Sequence, residues 1–66
     1  MELKNNLKEY RLQNSLSQEA LAERVLVSRQ TIISIEKSVY QPSVLLALKL
    51  AKSLKINVED LFYIKK

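Results

Sequence analysis

Apolar residues in this chain recur at helical spacing in five stretches separated by polar breaks. The first runs from Asn5 or Asn6 to Gln13, with Leu7, Tyr10 and Arg11 on one face, and Asn14-Ser15 ends it. The second starts at Ser17, a good N-cap, and Leu16 and Leu21 flank it as a hydrophobic staple. Its inward stripe is Ala20, Leu21 and Val25; Glu19 complements the helix dipole, while Ala20 stands where a capping box wants Glu or Gln. The third starts at Ser28 with a second staple, Val27 and Ile32, faces Ile32 and Ile35 inward, and ends near Lys37. Pro42 turns Gln41 away from helix, so Tyr40-Gln41-Pro42 reads as an extended connection. The fourth runs from Ser43 to Leu54, with Val44, Ala47, Leu48, Ala51 and Leu54 in register and Leu46 and Leu50 widening the stripe. A helix apolar over that much of its circumference is the expected centre of the core. The fifth starts at Asn57 behind a third staple, Ile56 and Leu61, has Asp60 in a box-like position, and ends near Phe62. Met1–Lys4 and Tyr63–Lys66 are expected to pair as a small two-stranded ribbon.

Composition narrows the class. Sixty-six residues make one small domain, 1–66, too short for a deep cofactor cleft. There is no Gly and one Pro, so hairpins that need positive φ are disfavoured and the expected fold is all-α. The absence of Cys and His removes disulfides, common zinc sites, thiol chemistry and imidazole catalysis; no metal and no cofactor is expected. Carboxylates at Glu19, Glu23, Glu36, Glu59 and Asp60 form no clustered pattern, so the chain does not read as an enzyme. A net charge of +4 suits a polyanion. The charge is uneven: residues 1–40 carry six basic and five acidic groups, and residues 41–66 carry five and two. Lys49, Lys52, Lys55, Lys65 and Lys66 are read as a solvated, diffuse field. The longest apolar run, Val44 to Leu48, is far below the length of a membrane span, and the expected compartment is the cytoplasm.

The second and third stretches carry the function. Ser17 to Val25, a turn at Leu26-Val27, then Ser28 to Lys37 has helix–turn–helix spacing, with the motif at about residues 17–37. Leu16-Ser17-Gln18-Glu19-Ala20-Leu21-Ala22, Val27-Ser28-Arg29-Gln30-Thr31-Ile32, Ile35-Glu36-Lys37 and Tyr40-Gln41-Pro42-Ser43 follow in order, then Ala47-Leu48-Lys49-Leu50-Ala51 and Val58-Glu59-Asp60-Leu61-Phe62. Over roughly residues 5–62 the chain resembles the phage-repressor (Cro/C1, or XRE) family of helix–turn–helix regulators, and within it the minimal stand-alone repressors.

That resemblance implies a compact five-helix domain whose third helix lies in the major groove of double-stranded DNA. With Ile32 and Ile35 inward, the outward residues are Arg29, Gln30, Ile33, Ser34 and Lys37. Arg29 is suited to guanine O6 and N7, and Gln30 to adenine N6 and N7. Ser34 can bond several bases; Ile33 either touches a thymine methyl or is a plain exposed apolar residue. A cation in the first turn is mildly unfavourable against the helix dipole, which favours an anionic or guanine partner for Arg29.

By resemblance Gln18 binds a phosphate and buttresses the third helix, and Ser28, Thr31, Lys37, Tyr40 and Ser43 are further phosphate contacts; Ser28 is first of all a cap. The family also pairs the positions of Arg11 and Glu36 as an architectural salt bridge, and Arg11 on the inward stripe needs such a partner. Many members have Gly where Leu26 stands, so either the turn is strained or its geometry differs.

One reader helix covers few base pairs, which implies a homodimer on a pseudo-palindrome. Leu45, Leu54, Phe62, Tyr63 and Ile64 are the expected dimer surface. A membrane-surface peptide is disfavoured by five capped short helices. The alternative reading is an antitoxin that binds a partner protein and regulates its own operon. Nothing resembles an added toxin-binding tail, and no small-molecule effector is expected.

Overall fold

Three serines fix where the longer helices begin. In the computed structural model, which describes residues 1–66, Ser17 Oγ accepts the Ala20 N–H at 3.0 Å, Ser28 Oγ accepts that of Thr31 at 3.2 Å, and Ser43 Oγ accepts that of Leu46 at 3.1 Å. The elements run β1 (Glu2–Asn5), α1 (Leu7–Gln13), α2 (Gln18–Val25), α3 (Arg29–Glu36), α4 (Val44–Leu54), α5 (Val58–Leu61) and β2 (Phe62–Lys65). Five helices and the ribbon of the termini match the sequence expectation. The start of α5 differs in detail, because the Asn57 side chain makes no capping bond.

Helix ends are closed without glycine. Ser15, Leu26, Ser38 and Lys55 take left-handed φ values of 56°, 62°, 60° and 60°. After each, the next N–H reaches back five residues: Leu16 to Arg11, Val27 to Ala22, Val39 to Ser34 and Ile56 to Ala51, at 2.9–3.1 Å. This Schellman closure satisfies carbonyls that the helix end would leave unpaired. Leu16, Val27 and Ile56 then serve twice. Each seals the helix behind it and packs against the core beside the helix ahead. A short chain thereby spends few residues on its connections.

The core comprises Leu7, Leu16, Leu21, Ala22, Val25, Ile32, Ile35, Leu46, Leu50, Ala51, Leu54 and Leu61. The inward row of α4 is Leu46, Leu50, Ala51 and Leu54, whereas Val44 is 77% and Leu48 51% exposed. This corrects the expected row through Val44 and Leu48. On a helix apolar around most of its circumference, periodicity permits two overlapping rows, and packing against α2 and α5 selects one. In α2 the small residue turned fully inward is Ala22; Ala20 is only half-buried.

The ribbon is antiparallel, with Glu2 opposite Lys65 and Asn5 opposite Phe62. Asn6 continues it, its N–H donating to the Leu61 carbonyl at 2.9 Å. Asn5 ties it to the helices: its Nδ2 donates to the Ile35 carbonyl at 2.9 Å, and its Oδ1 accepts the Leu7 N–H at 3.1 Å.

Leu26 is 82% exposed, so its side chain gives little packing in return for its left-handed backbone. Leu26→Gly is expected to stabilise the fold by about 0.5–1 kcal/mol, after allowing for the freer unfolded chain. Thermal melting checks this, with a rise in Tm expected.

Candidate nucleic-acid interface

Arg11 is 6% exposed and carries a full charge into the interior. Its guanidinium is satisfied on every side that matters. Nε donates to Glu36 Oε2 at 2.6 Å, Nη2 to Glu36 Oε1 at 3.3 Å, and Nη1 to the Leu16 carbonyl at 2.8 Å. Glu36 Oε1 also accepts from Gln18 Nε2 at 3.1 Å. One carboxylate at the end of α3 is thus held by α1 and by the first residue of α2. Such a bidentate pair, hydrogen-bonded all round and shielded from water, is directional as well as strong. It sets the angle at which α3 leaves the body.

At the opposite end of α3 the first turn is open. Ser28 caps it and its Oγ also lies 3.0 Å from Thr31 Oγ1. Arg29 and Gln30 follow directly and are exposed. Gln30 Nε2 donates to Ser34 Oγ at 3.3 Å along the helix. Ile33 and Ser34, expected to face outward, are half-buried. The loop after α3 explains Ser34: its carbonyl accepts the N–H groups of Val39 and Tyr40 at 2.9 and 3.2 Å. Ser28, Gln30, Thr31, Ser34 and Tyr40 line one shallow concavity of about 260 Å³.

A second, polar concavity of about 540 Å³ is lined by Lys8, Arg11, Ser17, Gln18, Glu19 and Arg29. It joins the N-terminal ends of α2 and α3, where helix dipoles and free N–H groups favour an anion. Arg29, Gln30, Gln18, Ser28, Thr31, Ser34 and Tyr40 therefore all line these two hollows, while Lys37 and Ser43 line neither. Lys8 was missed by the sequence reading. Its signal was its place on α1 three residues before Arg11, one turn along the same side. Asn5 was considered only as a helix start, and its 30-residue reach to Ile35 has no local signature.

Of the expected dimer residues, Leu45, Tyr63 and Ile64 are exposed at 65%, 43% and 61%. Phe62 is half-buried against the core, and Leu54, at 2% exposed, lies inside it. Leu54 cannot meet a second copy because it is the last buried turn of α4. No helix is long and apolar enough to cross a membrane.

The helix-turn-helix family profile matches residues 7–61. The chain belongs to the Cro/C1-type helix-turn-helix family. It is 53% identical over 60 residues to an uncharacterised HTH-type transcriptional regulator of Methanocaldococcus jannaschii, covering 91% of each chain. It is 48% identical over 63 residues to another in Bacillus subtilis, YgzD, covering 96% of each. Among solved structures it is similar to the restriction-modification controller protein C.AhdI from Aeromonas hydrophila: TM-score 0.77, 33% identity, 82% of each chain. The SOS-response repressor LexA from Eubacterium rectale gives TM-score 0.81 and 31% identity over 92% of this chain and 65% of that one. The chain is accordingly a DNA-binding transcriptional regulator, a non-enzymatic class whose partner is double-stranded DNA.

Within this family member the Arg11–Glu36 pair is architectural, which gives a stability prediction. Glu36→Ala leaves a buried guanidinium unpaired and is expected to destabilise by about 3–5 kcal/mol. Arg11→Met with Glu36→Leu, which removes both charges and keeps volume, is expected to lose far less. Urea unfolding of the three proteins measures the difference.

Proposed function

We propose that this regulator is a repressor that binds a pseudo-palindromic operator as a homodimer, each copy laying α3 in the major groove. The observation that carries this reading is the open first turn of α3, where exposed Arg29 and Gln30 follow the Ser28 cap beside the hollow lined by Lys8 and Gln18. An α-helix with its side chains is about 10–12 Å across, which fits the width of the major groove, about 12 Å. Arg29 and Gln30 read base edges, with Ser34 and the half-buried Ile33 behind them. Gln18, Ser28, Thr31, Lys37, Tyr40 and Ser43 contact phosphates and set register. Repression needs no further part, since a bound dimer occludes the DNA it covers.

Size supports the dimer. The molecule is 32 Å in its longest dimension and presents one reader helix, while half-sites lie about 34–36 Å apart. One copy therefore covers one half-site. Leu45, Tyr63 and Ile64, with Phe62 behind them, supply the exposed apolar surface for a two-fold contact. The antitoxin reading gains no support from the relatives found and is set aside.

Selection of binding sequences from a random duplex pool tests the proposal, and a two-fold symmetric site is expected. Arg29→Ala is then expected to lose about 1–3 kcal/mol at one base position per half-site and to relax preference there. Lys37→Ala is expected to weaken all duplexes alike and lower the salt slope by about one. Equal weakening of every sequence by Arg29→Ala makes Arg29 a phosphate contact instead. Ile64→Asp is expected to shift sedimentation toward monomer and reduce operator affinity together.

A further inference from the structure

A third concavity, of about 430 Å³, lies between α2 and α4 and is lined by Arg24, Val25, Leu26, Lys49, Lys52 and Ser53. The DNA-reading surface does not use it. Gln18 opens α2, and Arg24 stands six residues along it, about 9 Å away. Ser43 caps α4, and Lys49 and Lys52 lie about 9–14 Å beyond that cap. The groove is thus built from the far ends of both helices, away from the N-termini assigned to phosphate contact.

Two independent features mark it. First, Arg24, Lys49 and Lys52 have no ionic partner, since the ion pairs of this chain are Lys4–Glu2 and Arg11–Glu36. Three cations on one rim repel one another and favour an anion. Second, the rim carries Leu26, which is both left-handed and 82% exposed. Glycine would hold that backbone at less strain, and a polar residue would suit the exposure. The left-handed backbone is shared with Ser15, Ser38 and Lys55 and is answered by the Val27 N–H, so the feature peculiar to this rim is an exposed leucine set among three cations.

We infer that this groove docks an acidic segment of a partner protein, one that places an apolar side chain against Leu26 and carboxylates against Arg24, Lys49 and Lys52. Charge complementarity selects the partner. A DNA backbone supplies the charge but nothing apolar to cover Leu26, and a small inorganic anion leaves Leu26 in water. Docking there leaves α3 free, so the regulator holds DNA and its partner at once. The inference concerns a different surface from the DNA reading and stands or falls apart from it.

Amide NMR of the intact chain tests it with defined probes. These are a short Asp/Glu peptide with two central leucines, the same peptide with serines for the leucines, inorganic phosphate, and a non-specific duplex. The leucine peptide is expected to shift Arg24, Leu26, Lys52 and Ser53 and to leave Arg29 and Gln30 unmoved. Leu26→Gly, expected to fold at least as well, should weaken the peptide several-fold, and Lys49→Gln with Lys52→Gln about tenfold or more, a change of about 1.4 kcal/mol. The inference is overturned if the leucine peptide leaves the groove unshifted, if the serine peptide or phosphate binds as tightly, if the duplex shifts the groove residues, or if Leu26→Gly converts a sedimenting dimer to monomer, which puts a second copy in the groove.

Discussion

A buried charge that must be neutralised governs this fold. Arg11 lies in the interior of a molecule with only thirteen buried residues, and its charge is answered by Glu36 at 2.6 Å. Removing either charge would strand the other in a poorly solvated place, so the two ends of the contact are locked to each other. Those ends belong to α1 and to the last residue of α3. Gln18, at the start of α2, donates a further hydrogen bond to the same carboxylate. Three helices are thereby referred to a single point. An apolar core of this size fixes composition more firmly than angle, because greasy contacts tolerate sliding. The ion pair supplies the directionality that the core lacks, and it leaves the other end of α3 free to carry Arg29 and Gln30 outward.

The second constraint is chain economy. Without glycine, four helix-end residues adopt left-handed φ, and each strained residue is followed by a backbone bond five residues back. That bond and the apolar residue donating it offset the strain. Leu16, Val27 and Ile56 pass directly from closing one helix to stapling the next, so the turn between α2 and α3 is short and stiff.

Sequence alone carried much of this. The three serine caps, the three staples and the inward pair Ile32 and Ile35 are local signals, written within five residues of one another, and each appears in the structure. The Arg11–Glu36 pair was legible through the family likeness together with the implausibility of an unpaired inward arginine. Other features were not legible. The inward row of α4 could not be chosen among overlapping apolar rows, so Val44 and Leu48 were read inward although both are exposed, and Leu54, read on that row and also on the dimer surface, belongs to the core alone. The bond from Asn5 to the Ile35 carbonyl spans thirty residues and depends on where the ribbon lands. The cationic groove beside Leu26 joins two helices whose packing no periodicity reveals.

On the proposed reading, the ionic network holds α3 so that its first turn meets base edges in the major groove. The most direct test is the solution structure of the labelled protein on a duplex selected for tight binding. Contacts between the Arg29 guanidinium and major-groove guanine protons, with the Arg11–Glu36 bridge intact, are the predicted result. Contacts confined to α4 or the ribbon, with Arg29 and Gln30 still free in solvent, would contradict it.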